Sequence, residues 1–250
     1  MNSDVFAAKM RSRELFQGTR VPERCWLVLR VDGRGFSRLT ERLFEKPFDP
    51  RFHEWMIEAA RALLEDNHGR LALVVSDEIS LLLPPGHDQH GGRLEKLVSL
   101  TAGLTSATFS SRLGEPATFD SRAWSADDVE SVVDYFRWRQ SDARRCALQG
   151  WCYWTLRHEG ASSREATERL RGLSHDGQRE LLSGAGIDFD TTPPWQRRGS
   201  LVFWEEHDHR GVDPTTGSIV ESSRRRTAVD RDLAERDAFG DAIESLLQLS

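Results

Sequence analysis

The sequence CWLVLRVDGRGFS, residues 25–37, joins an apolar run to an acidic turn that contains glycine. Large and β-branched side chains dominate residues 25–31, and a short run of this kind favours a buried strand over a helix. Asp32 and Gly33 follow at the end of that strand. Because Asp and Gly are common turn formers, this segment taken alone is more often structural than catalytic.

A second acidic corner, Ser76-Asp77-Glu78, follows the apolar run 71–75 in the same way. The chain then returns as a third strand over residues 79–83, until two prolines stop it. Hard cations such as Mg²⁺ prefer carboxylate oxygens. A sheet that brings Asp32 and Asp77 together would therefore create a site for divalent metal ions and for the phosphates that they carry.

Two amphipathic helices separate these strands. Asp49-Pro50 opens the first helix, with Asp as the N-cap and Pro at the first helical position. The second helix spans roughly 93–111, and a short strand at 117–124 follows it. The order β-α-β-β-α-β predicts an α+β fold with a ferredoxin-like βαββαβ unit and an antiparallel sheet. In that unit the third strand lies beside the first, so Asp32 and Asp77 meet at one edge.

The second half of the chain differs in character from the first. We predict one domain at residues 1–125 and a C-terminal, helix-rich extension at residues 126–250 that packs on it. Ser125, with an acidic residue three positions later, predicts the cap of a long amphipathic helix. A strand is expected at 201–205, and the polar segment 208–226 is expected to be mobile.

Composition limits the classes of function. The 250 residues carry a net charge of −6, which argues against a protein that coats nucleic acid indiscriminately, although 34 Lys and Arg allow a local basic surface. The three cysteines lack CxxC spacing, which indicates reduced thiols and makes a zinc site unexpected. Apolar runs are too short to cross a bilayer, and the N-terminus lacks the apolar core of a signal peptide. We therefore expect a cytoplasmic protein without a membrane partner.

Two acidic corners at one sheet edge would have the geometry of polymerase palms and nucleotide cyclases, in which two carboxylates hold two cations that clamp a triphosphate. Three basic residues are candidates to meet the phosphates. Lys46 lies in the loop after the first strand, and Arg93 and Lys96 lie one helical turn apart at the start of the second helix. Each taken singly is most often a solvated surface charge. As a set that converges on the same sheet edge, they are candidate triphosphate ligands.

Aromatic and arginine residues alternate in the segment 134–142, DYFRWRQSD. Such a segment can contact RNA by stacking and by phosphate pairing, but helical spacing equally explains Phe136 as a core residue. Basic clusters at 196–199 and 224–226 can touch a phosphate backbone, although a solvated charge run is the more frequent explanation. The candidate RNA-binding residues are Arg137, Arg139, Arg144, Arg145, Arg197 and Arg198.

Six ordered blocks cover about residues 5–228: VLRVDGRGFSRLT, FEKPFDPRF, VVSDEISLLLP, ATFDSRAW, DYFRWRQSDA and RRGSLVFWEE. In this order they resemble the tRNA-His guanylyltransferase family and its 3′–5′ polymerase relatives. The resemblance implies that residues 1–125 form a palm-like catalytic domain and that the extension at residues 126–250 contacts RNA. It further implies activation of an RNA 5′-monophosphate by a nucleoside triphosphate, followed by attack of the 3′-hydroxyl of an incoming nucleotide. It also implies ATP and/or GTP as the nucleotides, tRNA or a tRNA-like RNA as the acceptor, and a homotetramer.

The resemblance extends to individual positions. Asp32, the backbone carbonyl of Gly33, and Asp77 match the ligands of two Mg²⁺ ions, and Glu78 joins the two aspartates as a candidate catalytic residue. The residues with an implied role in nucleotide binding are Asp32, Gly33, Arg34, Gly35, Phe36, Ser37, Lys46, Ser76, Asp77, Arg93 and Lys96.

Two departures from the family pattern bear on the substrate. Ser37 stands where the guanylyltransferases often carry His, and the His- and Asn-rich block after the WRQxD motif is replaced here by residues 144–150, RRCALQG. The replacement favours a template-dependent 5′-end repair enzyme over strict addition of G to tRNA-His. Two alternatives stay open: a nucleotide cyclase-like or other nucleotide-signalling enzyme on the same scaffold, and a non-catalytic module that binds RNA or nucleotides.

Overall fold

The computed structural model describes residues 3–212 and 219–248. Within these residues none of the helices combines the length and the apolar character that a membrane span requires. The helices and strands, in chain order, are α1 (Ser3–Arg11), β1 (Trp26–Gly33), α2 (Phe36–Leu43), α3 (Pro50–Asp66), β2 (Leu71–Val75), β3 (Glu78–Leu83), α4 (Leu94–Leu113), β4 (Phe119–Ala126), α5 (Val129–His158), α6 (Ser163–Leu170), α7 (His175–Gly184), α8 (Pro194–Arg198), β5 (Ser200–Val212), β6 (Ile219–Asp230) and α9 (Arg236–Gln248).

The six strands form one antiparallel sheet in the order β4-β1-β3-β2-β5-β6. β1 lies between β3 and β4, which confirms the predicted pairing of the first and third strands. In these ladders Asp32 lies opposite Glu78 on one side and opposite Asp120 on the other. We call the end of the sheet that carries Asp32, Asp77 and Glu78 the acidic edge.

The last two strands extend this sheet rather than forming a separate one. β5 pairs with β2, with Leu201 opposite Leu73. The described part of the segment 208–226, for which mobility is expected, is strand, because β5 continues to Val212 and β6 begins at Ile219. Its mobility stays a prediction. Opposite charges such as Glu205 and Arg226 pair across this hairpin, so polar residues on both faces conceal its strand pattern. Residues 213–218 of the predicted mobile segment lie outside the described residues, and the division at residue 125 stays a prediction.

One face of the sheet packs against α3 and α4. Alternate residues of β1, represented by Leu27, Leu29 and Val31, are buried in this core, because successive side chains of a strand point to opposite faces. Met56 of α3 and Phe109 of α4 are fully buried on the same side. Asp49 caps α3 as predicted, since its side chain accepts a hydrogen bond from the backbone N–H of Arg51.

The other face packs against α5 and α9. Val28 of β1 lies in a core with Phe136 of α5 and Phe239 of α9, so the core interpretation of Phe136 is confirmed. The hydroxyl groups of Ser80 and Tyr135 form a hydrogen bond of 3.0 Å that ties β3 to α5. The polar residues of β1 and β3 that share this face with Val28 therefore lie next to α5.

α5 is longer than the sheet that it covers. Its N-cap is Asp128, which accepts a hydrogen bond of 2.7 Å from the backbone N–H of Ser131. The prediction of Ser125 as the cap is wrong, because that residue pairs with Leu27 inside the ladder of β1 and β4. Beyond the sheet, the second half of α5 builds a third core with α6 and α7, in which Cys152 is fully buried.

Candidate active site

The turn between β2 and β3 is fastened to the end of β1. The backbone N–H of Gly33 donates to the carbonyl oxygen of Asp77 at 3.1 Å. Ser76 adopts a left-handed φ of 52°, which reverses the chain immediately before Asp77. A Cβ atom on Gly33 would lie 2.9 Å from Asp77 Oδ2 and closer still to the ring of Phe36. Glycine therefore allows this close approach, and the structure brings Asp77 next to the strand end that carries Asp32.

The two aspartates repel one another electrostatically. Burial and the charge of Asp32 raise the pKa of Asp77 to about 6. Burial also raises the pKa of Asp32, whereas the Arg122 guanidinium opposes that rise. Arg122 Nη2 lies 3.9 Å from Asp32 Oδ2, so the ion pair is loose. Two carboxylates with incomplete compensation mark a place where a cation would be stabilised.

Glu78 is held differently from the two aspartates. Arg139 of α5 donates two hydrogen bonds of 2.7 Å to its carboxylate oxygens, and Arg30 lies 3.8 Å away. Burial raises the pKa of Glu78, and the hydrogen bonds from Arg139 oppose that rise. The side chain of Glu78 is therefore paired within the protein and supports the acidic edge from the α5 side.

The donor set of the acidic edge suits Mg²⁺. Within residues 3–212 and 219–248, no group of three or more His, Cys, Asp or Glu side chains is arranged to hold a metal ion. Two carboxylates and the backbone carbonyl of Gly33 leave several coordination positions to water and phosphate, which is the way Mg²⁺ usually binds. A side chain at position 33 would collide with Asp77 Oδ2, so only glycine fits there. The residues present therefore fit a solvated Mg²⁺ and not a closed metal cage.

Lys46 and Ser76 line the same cleft beside the acidic edge. Lys46 Nζ donates to the hydroxyl of Thr40 and lies 5.4 Å from the ring centre of Trp154. Burial lowers the pKa of Lys46, and the charges of nearby carboxylates, including Asp77, raise it. The cleft thus places the ammonium group of Lys46 and the hydroxyl group of Ser76 near Asp77, as the sequence predicts.

The glycine-containing segment after Asp32 forms a short turn at residues 34–35, as the sequence predicts, and leads directly into α2. Gly35, with a left-handed φ of 75°, precedes the helix α2. Phe36 is buried among aromatic rings of the α3-side core, whereas Arg34 and Ser37 are exposed. Arg34 and Ser37 are therefore accessible to a nucleotide, and Phe36 contributes packing.

Arg93 and Lys96 lie at the opposite end of the sheet. β3 runs from Glu78 at the acidic edge to its far end, and α4 begins there. Arg93 forms a bridge with Arg20, in the segment that leads into the start of β1. The predicted convergence of Arg93 and Lys96 with Lys46 at the acidic edge is therefore wrong within one chain, because a single return strand separates Asp77 from the helix start.

Two of the six candidate RNA-binding residues are buried. Arg139 is paired with Glu78, and Arg197 donates to the backbone carbonyl of Thr192 at 3.1 Å. Arg139 and Arg197 are 7% and 4% exposed as whole residues. Both side chains lie inside the protein, so the prediction that they contact RNA is wrong for this structure.

The other candidates are paired with carboxylates. Arg144 contacts Asp190 at 2.8 Å and Glu235 at 2.6 Å, and Arg198 contacts Glu235 at 2.6 Å. Arg179 shares Asp190 with Arg144. We call Arg144, Arg179, Arg197 and Arg198, with Asp190 and Glu235, the arginine cluster.

Arg137 and Arg145 are also paired. Arg145 contacts Asp142 at 2.5 Å, and Arg137 contacts Asp237 at 3.1 Å. More than half of the Arg145 side chain is exposed, whereas that of Arg137 is about one third exposed. Arg145 therefore has the larger surface to offer a phosphate.

Two family profiles match nearly the whole chain. The profile described as tRNAHis guanylyltransferase matches residues 7–127, and the profile described as Thg1 C terminal domain matches residues 130–238. The chain belongs to the tRNA-His guanylyltransferase family. This membership confirms the resemblance of the six sequence blocks.

Curated relatives from several organisms support this membership. "tRNA(His) guanylyltransferase 2" of Arabidopsis thaliana is 32% identical over 206 residues, which are 78% of this chain and 38% of that protein. "Probable tRNA(His) guanylyltransferase" of Dictyostelium discoideum is 32% identical over 191 residues, which are 71% of this chain and 75% of that protein. The chain spans only 38% and 35% of the length of the two Arabidopsis relatives.

Solved structures share the mixed arrangement of helices and antiparallel sheet. The tRNA(His) guanylyltransferase from Saccharomyces cerevisiae has a TM-score of 0.69 and 25% identity, and the match covers 78% of this chain and 91% of that one. A bacterial Thg1-like protein in complex with GTP has a TM-score of 0.76 and 24% identity, with 98% and 100% covered. The second similarity shows the fold alone.

Some residues of the site escape a reading of the sequence. Asp120 and Arg122 lie opposite Asp32 and Arg30 in the ladder of β1 and β4. Their alternation along the block ATFDSRAW is the signal that would have placed them on one face. Trp138 lies in the segment 134–142, for which the sequence indicates stacking on RNA, but helical spacing alone does not show that this residue is 52% exposed next to Arg139.

The departure from the family pattern lies in the second half of α5. Arg144 belongs to the arginine cluster, Leu148 is buried in the third core, and Arg145 is exposed. Part of the replaced block therefore serves packing and ion pairing. Gly150 has open space around its Cα, since an added Cβ would meet nothing within 4 Å.

Proposed function

We propose that this chain is a metal-dependent nucleotidyltransferase that adds nucleotides to the 5′ end of tRNA, or of a tRNA-like RNA, in the 3′–5′ direction. The observation that carries the proposal is the approach of Asp77 to the end of β1 beside Asp32, which Gly33 permits. Burial and the charge of Asp32 raise the pKa of Asp77 to about 6. Family membership connects this acidic pair to a reaction.

The fold supports the same proposal. We infer that β1 to β4, with α3 and α4 on one face, form a ferredoxin-like palm, because the strand order β4-β1-β3-β2 is the one expected of a βαββαβ unit. Residues 126–250 would then form the extension that completes the sheet and packs on the other face.

Asp32, Asp77 and the carbonyl of Gly33 would hold two Mg²⁺ ions. When bound, these ions would neutralise the triphosphate and the charge that develops in phosphoryl transfer. The protein's own residues have separate tasks. Asp32 and Asp77 supply the negative charge, and the N–H of Gly33 holds the turn that carries Asp77 by a hydrogen bond. The hydrogen bonds between Glu78 and Arg139 connect the acidic edge to α5.

The cleft of Lys46 and Ser76 is the proposed place of the nucleoside triphosphate. A partly buried ammonium group pairs strongly with phosphate oxygens, because few water molecules screen it. Bacterial Thg1-like proteins in complexes with GTP and with ATP support a triphosphate ligand of either kind. We propose that ATP or GTP activates the 5′ end of the RNA.

The RNA substrate is a 5′-end repair substrate in this proposal. The His- and Asn-rich block of the guanylyltransferases is replaced by residues 144–150, and Arg144 and Leu148 serve the packing of α5. We also propose, from family resemblance alone, a cytoplasmic homotetramer, which light scattering at several protein concentrations would test.

The experiment incubates the protein with 5′-truncated, monophosphorylated tRNA, Mg²⁺ and each nucleoside triphosphate in turn. Addition of the nucleotide that completes the terminal base pair is expected. Addition of G regardless of the template would indicate guanylyltransfer instead of repair. Turnover of a free triphosphate without RNA would favour a cyclase-like or signalling enzyme. Binding of RNA or nucleotide with no turnover in any mixture would favour the non-catalytic module.

A further inference from the structure

Charged side chains collect on one face of the sheet next to the acidic edge. On β1, Arg30 and Asp32 share the face of Val28, which packs against α5. Across the ladder of β1 and β4, Asp32 lies opposite Asp120, and Arg30 lies opposite Arg122. Residues that lie opposite one another in antiparallel strands point to the same face, so all four polar residues border α5.

Trp138 lies over this polar face. The guanidinium carbon of Arg139 is 4.6 Å from the centre of its ring, and that of Arg30 is 5.6 Å away. The ring of Tyr135 meets it edge to face at 5.7 Å. Trp138 is nevertheless 52% exposed. Two cations and a tyrosine therefore contact the ring, and about half of the residue stays exposed to solvent.

A single exposed aromatic residue is ordinary on a protein surface. Trp138 differs because its neighbours are guanidinium groups and aromatic rings, not an apolar patch that a protein partner would cover. Trp124 of β4 contacts Tyr135 at 4.7 Å between ring centres, so Trp124, Tyr135 and Trp138 form a row. Aromatic faces flanked by arginine are the surfaces on which nucleobases stack.

The row lies on a different side of the acidic edge from the triphosphate cleft. Lys46 and Ser76 share their cleft with Phe44, which belongs to the α3-side core. Trp138 contacts Tyr135, which belongs to the α5-side core. The sheet separates these two cores, and its acidic edge lies between the cleft and the row. A triphosphate and an RNA end can therefore approach the carboxylates from different sides.

We propose that Trp138 stacks on a base at the 5′ end of the RNA acceptor and thereby positions the terminal phosphate at the acidic edge. This inference rests on the proposed function and adds a binding residue for the RNA end. Arg30 and Arg139 hold the indole ring in place. Stacking tolerates all four bases, because each has a π-face, so Trp138 provides position and not sequence preference.

The binding test uses an RNA hairpin with 2-aminopurine as its 5′-terminal base, without triphosphate, so that no reaction occurs. Stacking on the indole is expected to quench the probe when the native protein binds. Trp138→Leu should remove this quenching and weaken binding about five- to fifty-fold, whereas Trp138→Phe should retain most of both. A probe in the hairpin loop should not respond. Leu100→Ala, an exposed site on α4, is the matched control and should bind like the native protein.

A kinetic test separates positioning of RNA from a general loss of structure. Trp138→Leu should raise KM for the RNA by a similar factor and leave KM for the triphosphate within about twofold. Thermal unfolding of the variant should match that of the native protein. Equal quenching and equal affinity in Trp138→Leu would overturn the inference, as would a loss that Trp138→Phe fails to rescue.

The two proposals fail in different ways. Nucleotide addition by the native protein, together with unchanged RNA binding by Trp138→Leu, would overturn the role of Trp138 and leave the proposed function intact. Quenching that depends on Trp138 without any nucleotide addition would support stacking and count against the proposed reaction. Absence of RNA binding by the native protein would overturn the stacking role.

Discussion

The acidic edge and the arginine cluster are both dense in charge, but they compensate that charge differently. In the arginine cluster, Arg144, Arg179 and Arg198 each contact a carboxylate at 2.8 Å or less. At the acidic edge, Asp77 lies near Asp32, and its pKa is raised to about 6. The arginine cluster therefore pairs its cations internally, whereas the acidic edge keeps an excess of negative charge. Such an imbalance indicates a site for an external cation, whereas balance indicates a structural role.

The largest expected effect concerns the acidic pair. Asp32→Asn or Asp77→Asn keeps the shape of the side chain but removes the charge that would hold Mg²⁺. Either change should reduce nucleotide addition at least about a thousandfold, because metal stabilisation of a phosphoryl-transfer transition state is worth several kcal/mol. The rate is measured with 5′-truncated tRNA.

Asp88→Asn is the control for this prediction. Asp88 is exposed in the loop beyond β3, at the opposite end of the sheet. The Asp88→Asn variant should add nucleotides at the rate of the native protein. Full activity of either purified acidic-pair variant would remove Asp32 and Asp77 from the catalytic centre.

The next effect concerns the one buried ion pair at the acidic edge. The side chains of Arg139 and Glu78 are 9% and 12% exposed. Arg139→Gln would leave Glu78 without its bidentate partner beside Asp32. We expect a loss of about 3 kcal/mol in the free energy of unfolding, measured in urea, because the buried Glu78 carboxylate would keep only the more distant Arg30, 3.8 Å away.

A second substitution checks the cause of that loss. Adding Glu78→Gln to Arg139→Gln removes the stranded charge and should recover part of the stability. An Arg139→Gln variant as stable as the native protein would show that the pair contributes packing without net electrostatic stabilisation.

A smaller effect has the opposite sign. Because the pKa of Asp77 rises from 3.8 to about 6 on folding, the folded metal-free protein binds this proton more tightly than the unfolded chain. Stability from this group is complete below pH 3.8 and is lost as the pH rises through about 6. In EDTA at pH 8, Asp77→Asn should therefore be more stable than the native protein by about 1–3 kcal/mol.

The pH dependence distinguishes this cause from altered packing. The difference in unfolding free energy between Asp77→Asn and the native protein should shrink as the pH falls from 7 towards 4. A difference in unfolding free energy that is constant over this range, or of the opposite sign, would show that the pKa of Asp77 is not raised on folding.

The smallest effect is expected in the arginine cluster. Arg179 is about one third exposed, and its partner Asp190 keeps a second contact with Arg144. Arg179→Ala should change the free energy of unfolding by less than about 1 kcal/mol, because exposed ion pairs contribute little. A loss of several kcal/mol in urea unfolding would show that the cluster is more strongly coupled than its exposure indicates.

Much of the acidic edge could be predicted from sequence, because its logic is local. Apolar runs end at Asp32 and at Ser76, and the order of strands and helices fixes which strand ends meet. The same reasoning failed for Arg93 and Lys96. The position of Arg93 and Lys96 depends on the end of β3 at which the chain leaves the sheet. The positive charge of these residues does not indicate that end.

Other failures came from tertiary packing. Phe36, predicted to bind the nucleotide, is the first residue of α2, and its ring is buried among aromatic rings of the α3-side core. These contacts are with residues distant in sequence, so the local sequence does not indicate them. Residues 206–210 of β5 and 221–226 of β6 are all polar, so this part of the hairpin lacks the alternation that marks a strand. The burial of Arg139 depends on Glu78, which is 61 residues away.

The most direct test of a cation site at Asp32 and Asp77 is the effect of Mg²⁺ on thermal unfolding at pH 8. Mg²⁺ that binds only the folded state should raise the unfolding midpoint of the native protein, by an amount that grows with its concentration. Asp32→Asn and Asp77→Asn should lose this response, and Asp88→Asn should retain it. An equal shift in all four proteins, or no shift in the native protein, would contradict the assignment.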